Sequence, residues 1–204
     1  ECDSTGLNGI YRKDVTPTAP HPDDDVLLRV RYYTSLVTGR TDDGQPQRQD
    51  AYIRALAGLP CLTIHIGNFA TRRVCRPLVE PIPLVYPKAN GMQYVMVHNT
   101  EEKASDVNLA SHLLRDGYTD QYDAAVVVSS DTDLVEPLRI VKEENRKPVV
   151  LLYPDYERKS VPKKLARVTS TVRFISKRDL ACCQLPNPAP ARNGELIVRP
   201  AEWA

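Results

Sequence analysis

Residues 124–134 read AAVVVSSDTDL, a short apolar run that passes directly into serines and aspartates. An apolar strand of this length, over residues 124–128, is typical of a strand buried on both faces of a parallel sheet. Residues 148–153 (PVVLLY) repeat the pattern after a predicted helix over 134–145, which tolerates Pro137 in its first turn. Alternation of buried strands with helices predicts an α/β fold with a largely parallel sheet.

The flanking sequence extends this alternation in both directions. Hydrophobic periodicity predicts strands at 26–37, 61–69, 92–98 and 171–176, and helices at 45–59, 105–118 and 163–168. Residues 70–90 hold four prolines and three arginines and favour a loop.

Composition sets the scale of the protein. The chain has 204 residues, 42% of them hydrophobic, and a net charge of +1, which is typical of one soluble globular domain. We expect an irregular segment at 1–25, the folded domain at 26–183 and a proline-rich tail at 184–204. No apolar run is long enough to span a membrane. Five cysteines without a CxxC pair indicate reduced thiols in the cytoplasm rather than a disulfide framework or a zinc site. The sequence does not define the oligomeric state, and a homo-oligomer is possible.

Acidic side chains follow two of the predicted strands. Asp131 and Asp133 come directly after strand 124–128, and Asp106 follows strand 92–98. If these strands are neighbours, the three carboxylates meet at one edge of the sheet. Carboxylates ~4–5 Å apart repel by roughly 3–4 kcal/mol per pair at an effective dielectric near 20, so such a cluster requires a cation or a proton. Oxygen ligands favour Mg²⁺ or Mn²⁺, whose bound water can attack a phosphodiester. The simpler alternative is that Ser130 or Asp131 only caps the next helix.

Two motifs give these acids a family context. Residues 102–110 (EKASDVNLA) and 124–134 resemble the motifs E-K-G-x-D-v and v-S-x-D-x-D-f of the NYN domain, a branch of the PIN-like nucleases. The similarity covers most of the chain from Val26 onward. It implies a PIN-like three-layer α/β/α sandwich with a central, mostly parallel sheet, and metal-dependent hydrolysis of RNA, preferably single-stranded. Carried over by position, the metal-binding and catalytic acids are Asp106, Asp131 and Asp133, and the residues bordering the substrate are Lys103, Ser129 and Ser130.

The chain departs from this pattern in two places. The family opens with an apolar strand ending in D-G-x-N, whose Asp is the first metal ligand, whereas residues 5–8 read TGLN and the nearest acid is Asp3. Ala104 replaces the glycine of the first motif, which is a mild change if its φ is negative. Three alternatives stay open: Thr5 stands where that Asp belongs, Asp3 replaces it from a shifted register, or the family's first strand precedes Glu1. Absence of the Asp would favour a catalytically impaired module that binds RNA or a protein.

A basic stretch offers a route for the nucleic-acid backbone. Residues 155–178 hold eight Lys and Arg, and the strongest candidates for RNA contacts are Arg158, Lys159, Lys163 and Lys164. The alternative is that these basic side chains only form a solvent-exposed surface and bind no nucleic acid.

Two other enzyme classes share features of the acidic turn. Residues 131–135 (DTDLV) resemble the D-x-D-x-V signature of aspartate-nucleophile phosphatases, but the other motifs of those enzymes lie far downstream and 71 residues follow Asp133 here. A D-x-D nucleotide-sugar transferase also uses Mn²⁺, but the chain is short for that class.

Overall fold

The structure is a computed structural model that describes residues 27–39, 42–78, 86–87, 93–154 and 160–203. Within these ranges the chain forms nine strands and five α-helices. The strands are Val30–Ser35 (β1), Leu62–Pro77 (β2), Tyr86–Pro87 (β3), Gln93–Lys103 (β4), Ala125–Val128 (β5), Val149–Tyr153 (β6), Thr171–Phe174 (β7), Ala189–Pro190 (β8) and Leu196–Ile197 (β9). The helices are Gln45–Ala57 (α1), Ser105–Tyr118 (α2), Val135–Glu143 (α3), Lys163–Val168 (α4) and Lys177–Cys182 (α5).

The described strands form three sheets. The first has the order β1-β2-β4-β3, in which β1 is parallel to β2 and β2 is antiparallel to β4. The second has the order β5-β6-β7 and is parallel throughout. The third is the hairpin of β8 and β9. The predicted α/β class with parallel strands is therefore confirmed. A single central sheet between two helical layers stays a prediction, because the described part of the chain divides the parallel strands between two sheets.

The main core lies under the second sheet. It contains the apolar side chains of β6 and the inward faces of α3 and α4, with Leu138, Val149, Leu151 and Leu165 fully buried. Leucines of α2 pack against the same core. This packing joins the helix that carries Asp106 to the sheet whose first strand leads to Asp131.

The first sheet differs from the sequence prediction in its length. Residues 70–77, predicted as a loop, continue β2, and β4 extends five residues beyond the predicted end at 98. The two extensions pair with each other as antiparallel strands, from Asn68↔Lys103 to Pro77↔Tyr94. Pro77 is tolerated because it ends the strand. The loop prediction was wrong here because a proline count cannot detect a distant pairing partner.

The C-terminal residues form an element that the sequence did not predict. The β8–β9 hairpin packs on α1 in a small second core of Ala55, Ala189 and Ile197. Helix α5, also unpredicted, begins with a capping box in which the Ser176 hydroxyl accepts from the Asp179 backbone N–H.

Some predictions cannot be compared with the fold. The irregular segment at 1–25, with the D-G-x-N question, lies outside the described residues, as do Arg158 and Lys159. Among the described helices, none is long and apolar enough to cross a membrane.

Candidate acidic site

The acidic site forms where α2 begins beside the turn that follows β5. Strand β4 ends at Lys103, Ala104 makes the turn, and α2 starts at Ser105. The expected route to this arrangement was wrong, because β4 pairs with β2 and β3 and not with β5. Asp106 approaches Asp131 and Asp133 because α2 packs against the 3₁₀ turn over residues 132–134.

Ala104 adopts an unusual backbone conformation at this junction. Its φ of +77° and ψ of −16° lie in the left-handed region, so the mild replacement of glycine expected for a negative φ does not apply. An L-residue there has its Cβ too close to the following carbonyl oxygen. The conformation directs the chain from the end of β4 into α2 and thereby positions Asp106.

Local hydrogen bonds hold the turn after β5. The Asp131 backbone N–H donates to the Ser129 hydroxyl at 3.0 Å, and Asp131 Oδ1 accepts from the Asp133 backbone N–H at 2.9 Å. Asp131 therefore caps the 3₁₀ turn, as the simpler alternative expected. The cap occupies Oδ1, and it fixes the backbone of both aspartates.

The carboxylates of the site influence one another. The pKa of Asp106 is raised, first by partial burial and then by the negative charges of Asp131, Glu102 and Asp133. Glu102 was not singled out as a site residue from the sequence, although it is the first letter of the E-K-G-x-D motif. Its carboxylate is also held by the Ser105 hydroxyl, which donates to Oε1. Four acidic side chains thus share one electrostatic environment.

The acidic site has donor atoms that suit a metal ion, but its side chains do not lie at ligand distance from one another. Its donors are carboxylate oxygens, which suit Mg²⁺ or Mn²⁺. In the part of the chain that the structure describes, however, no three His, Cys, Asp or Glu side chains lie close enough together to hold an ion. Binding would therefore require these carboxylates to rotate toward a common point.

The predicted substrate-bordering residues lie around the same edge. Lys103 Nζ donates to Glu101 Oε2 at 2.5 Å, so its charge is partly neutralised. Ser130 is exposed beside the capping turn. Lys163 and Lys164 are exposed in the first turn of α4, which packs against the 3₁₀ turn after β5.

Strands β1 and β2 pack tightly against the start of α2. Ser35, at the end of β1, is 2% exposed, and its hydroxyl has no hydrogen-bond partner among the described residues. A Cβ on Gly67 would lie 2.7 Å from that hydroxyl, 2.9 Å from the Ser105 hydroxyl and 2.7 Å from the Lys103 carbonyl oxygen. Only glycine at position 67 allows β2 to approach this junction so closely.

Three comparisons place the chain among known proteins. The chain is 32% identical over 183 residues to 6-hydroxy-3-succinoylpyridine 3-monooxygenase HspA of Pseudomonas putida, an alignment covering 88% of this chain and 52% of the relative. The chain thus spans about half the length of that protein. A crystal structure of a protein of unknown function from Vibrio parahaemolyticus aligns at 15% identity with a TM-score of 0.42, covering 74% of this chain and 70% of that one.

The family comparison is the decisive one. The model of the NYN domain matches residues 25–177, which include both acidic motifs, the turn that Asp131 caps, the mixed first sheet and the parallel second sheet. The match covers most of the chain, and the chain therefore belongs to the NYN domain family.

Proposed function

We propose that the protein is a metal-dependent ribonuclease that hydrolyses phosphodiester bonds of single-stranded RNA. Family membership supports a nuclease-like function on RNA. The observation that carries the proposal is the contact between α2 and the 3₁₀ turn after β5, which brings Asp106 to the edge that carries Asp131 and Asp133. A PIN-like three-layer sandwich over residues 26–183 is part of the same proposal.

Asp106, Asp131 and Asp133 would hold Mg²⁺ or Mn²⁺. When bound, such an ion stabilises negative charge on a phosphoryl group and lowers the pKa of a water molecule. The side chains have separate tasks. Asp131 is fixed by the cap bond to its Oδ1, so its second carboxylate oxygen would be the metal ligand. Asp106 lies in the first turn of α2, where the helix dipole favours negative charge.

The basic residues would position the RNA strand. Lys163 and Lys164 lie beside the acidic turn, and Arg158 and Lys159 precede them in the sequence. Lys103, Ser129 and Ser130 would border the scissile phosphate. The exposed Lys103 ammonium can exchange its contact with Glu101 for a phosphate oxygen.

The test is the paired substitution Asp131→Asn with Asp133→Asn. Asparagine is as good a cap as aspartate, so the turn keeps its structure while the site loses two charges. We expect loss of Mn²⁺-dependent cleavage of end-labelled single-stranded RNA. The matched control Asp123→Asn changes an exposed acid after α2 and keeps activity. Cleavage that persists in the paired variant, or in EDTA, would refute the mechanism.

A second candidate is a catalytically impaired RNA-binding or protein-interaction module on the same fold. It is favoured by the finding that the described acids do not group at ligand distance. RNA binding without cleavage in saturating Mn²⁺ would select this candidate over the nuclease.

A further inference from the structure

A second cluster of charged and titratable side chains lies at the other end of α2. Asp116, in the last turn of the helix, has a side chain that is 9% exposed and contacts three guanidinium groups. Arg31 Nη2 donates to Asp116 Oδ2 at 2.6 Å, and Arg29 Nη1 approaches the same oxygen at 3.5 Å. Arg115 donates to Oδ1 through Nε at 2.9 Å and Nη2 at 2.6 Å. One carboxylate cannot neutralise three guanidinium groups.

Aromatic side chains close the inner side of this cluster. Arg31 Nη1 lies 3.3 Å from His65 Nε2, and the ring of His65 stacks on Tyr33 with centroids 5.0 Å apart. The Tyr33 hydroxyl is 2.9 Å from Nδ1 of His112, whose ring lies 4.5 Å from that of His65. Partial burial and the positive charge of neighbouring arginines lower the pKa of both histidines, and neither ring supplies a negative charge to offset the guanidinium groups.

The outer side of the cluster is open to solvent. The side chains of Arg29 and Arg115 are 44% and 56% exposed, and they approach the two different oxygens of the Asp116 carboxylate. Each guanidinium has five N–H donors. Among contacts with the described residues, Arg29 directs one and Arg115 two of these donors, all toward Asp116, so further donors remain for an external anion. A phosphate group matches paired guanidinium groups in charge and geometry.

We propose that Arg29 and Arg115, held in place by the Asp116 carboxylate that Arg31 also binds, bind a phosphate group that belongs to a nucleic-acid strand. Phosphate binding follows from the cluster alone, whereas the assignment to a strand rests on the proposed function. Helix α2 has 14 residues and is about 21 Å long, with the acidic site at its first turn and this cluster at its last. A strand engaged at both ends of α2 would extend along the helix and have several nucleotides bound.

The experiment measures binding of inorganic phosphate and of short single-stranded oligouridine in EDTA, where no metal-dependent cleavage occurs. The variant is Arg29→Gln with Arg115→Gln. It leaves the Arg31–Asp116 pair intact, and its melting temperature verifies folding. We expect phosphate binding to be lost and oligouridine to bind about tenfold more weakly. Because each single-strand phosphate contact adds about 0.7 to the slope of log K against log salt, loss of this one contact should lower the slope in magnitude by about 0.7.

Two matched variants sharpen the result. Arg29→Lys with Arg115→Lys keeps the charge and should restore the salt slope with intermediate affinity. Arg54→Gln with Arg139→Gln removes one arginine of α1, which pairs with Asp50 and Glu195, and one of α3, which pairs with Glu136, and should leave both affinities unchanged.

Unchanged phosphate and oligouridine binding in Arg29→Gln/Arg115→Gln would overturn the proposal. Loss of phosphate binding with unchanged oligouridine binding would overturn its assignment to a strand and indicate a free phosphate or nucleotide instead. Neither readout involves cleavage, so failure of the nuclease mechanism leaves the binding result interpretable.

Discussion

Replacing Ala104 with glycine should stabilise the protein. Ala104 is exposed, so its methyl group contributes no core packing, and its φ is +77°. A left-handed conformation costs an L-residue roughly 1–2 kcal/mol. The greater backbone freedom of glycine in the unfolded chain returns about 0.5–1 kcal/mol of that gain. We therefore expect the free energy of unfolding to rise by about 0.5–1 kcal/mol, which raises the melting temperature of a domain of this size by about 1–4 °C.

The assay is thermal unfolding followed by circular dichroism, supported by urea titration. The matched control is Ala166→Gly, an exposed alanine inside α4, where glycine should lower the free energy of unfolding by about 0.5–1 kcal/mol. The two substitutions are chemically identical and opposite in expected sign. A decrease, or no change, in the stability of Ala104→Gly would refute the assignment of strain at the start of α2.

Three further predictions concern the site and the cluster. Asp106→Asn should slightly raise the melting temperature of the metal-free protein, since two charges ~6 Å apart repel by about 0.7 kcal/mol in water. In the wild type, Mn²⁺ at 100-fold above its Kd should raise the melting temperature by about 5–11 °C, and Asp106→Asn should reduce that rise. The pKa values of His65 and His112 lie below 6.5, mainly through desolvation, with nearby cationic arginines adding to the effect. The unfolded chain therefore binds more protons, so the free energy of unfolding should fall as pH drops below about 6.5, and less so in His65→Gln/His112→Gln. Gly67→Ala should cost about 1–3 kcal/mol, because its Cβ would lie 2.7 Å from the Lys103 carbonyl oxygen.

Each of these predictions can fail clearly. An Mn²⁺-induced shift that survives Asp106→Asn would exclude that carboxylate as a ligand. Equal pH profiles for the wild type and the histidine variant, measured between pH 7.5 and 5.5 by urea titration, would place the pH dependence elsewhere. Wild-type stability of Gly67→Ala would show that β2 can move away from the junction.

The elements defined by local signals were predicted best. Helices Ser105–Tyr118 and Lys163–Val168 have the predicted bounds, because apolar periodicity and adjacent turn residues define both. Strands β5 and β6 begin within one residue of their predicted starts for the same reason. The prediction that β5 is buried on both faces was wrong, because Val126 and Val128 are 46% and 53% exposed and only the alternate residues face the core. The capping role of Asp131 was also readable, since its partner is two residues away.

Features that depend on distant partners were not predictable. The extension of β2 requires β4, and the positive φ of Ala104 follows from where β4 must end relative to α2. The cluster around Asp116 joins residues 85 and 87 positions apart, and neither Arg29 nor Arg31 resembles a site residue in isolation. The proximity of Asp106 to Asp131 was expected from strand adjacency and arises instead from helix packing.

The small core between α1 and the C-terminal hairpin affects the order in which the chain can fold. Ala55 and Ile197 meet there across about 140 residues of sequence, so forming this contact requires closing a very long loop. The main core uses strands and helices that are close neighbours along the chain and can form while synthesis is still under way. The contacts of Ala55 with the hairpin must wait until residue 197 has left the ribosome. A growing chain would therefore hold a formed parallel sheet of β5–β7 while α1 still lacked its final partner.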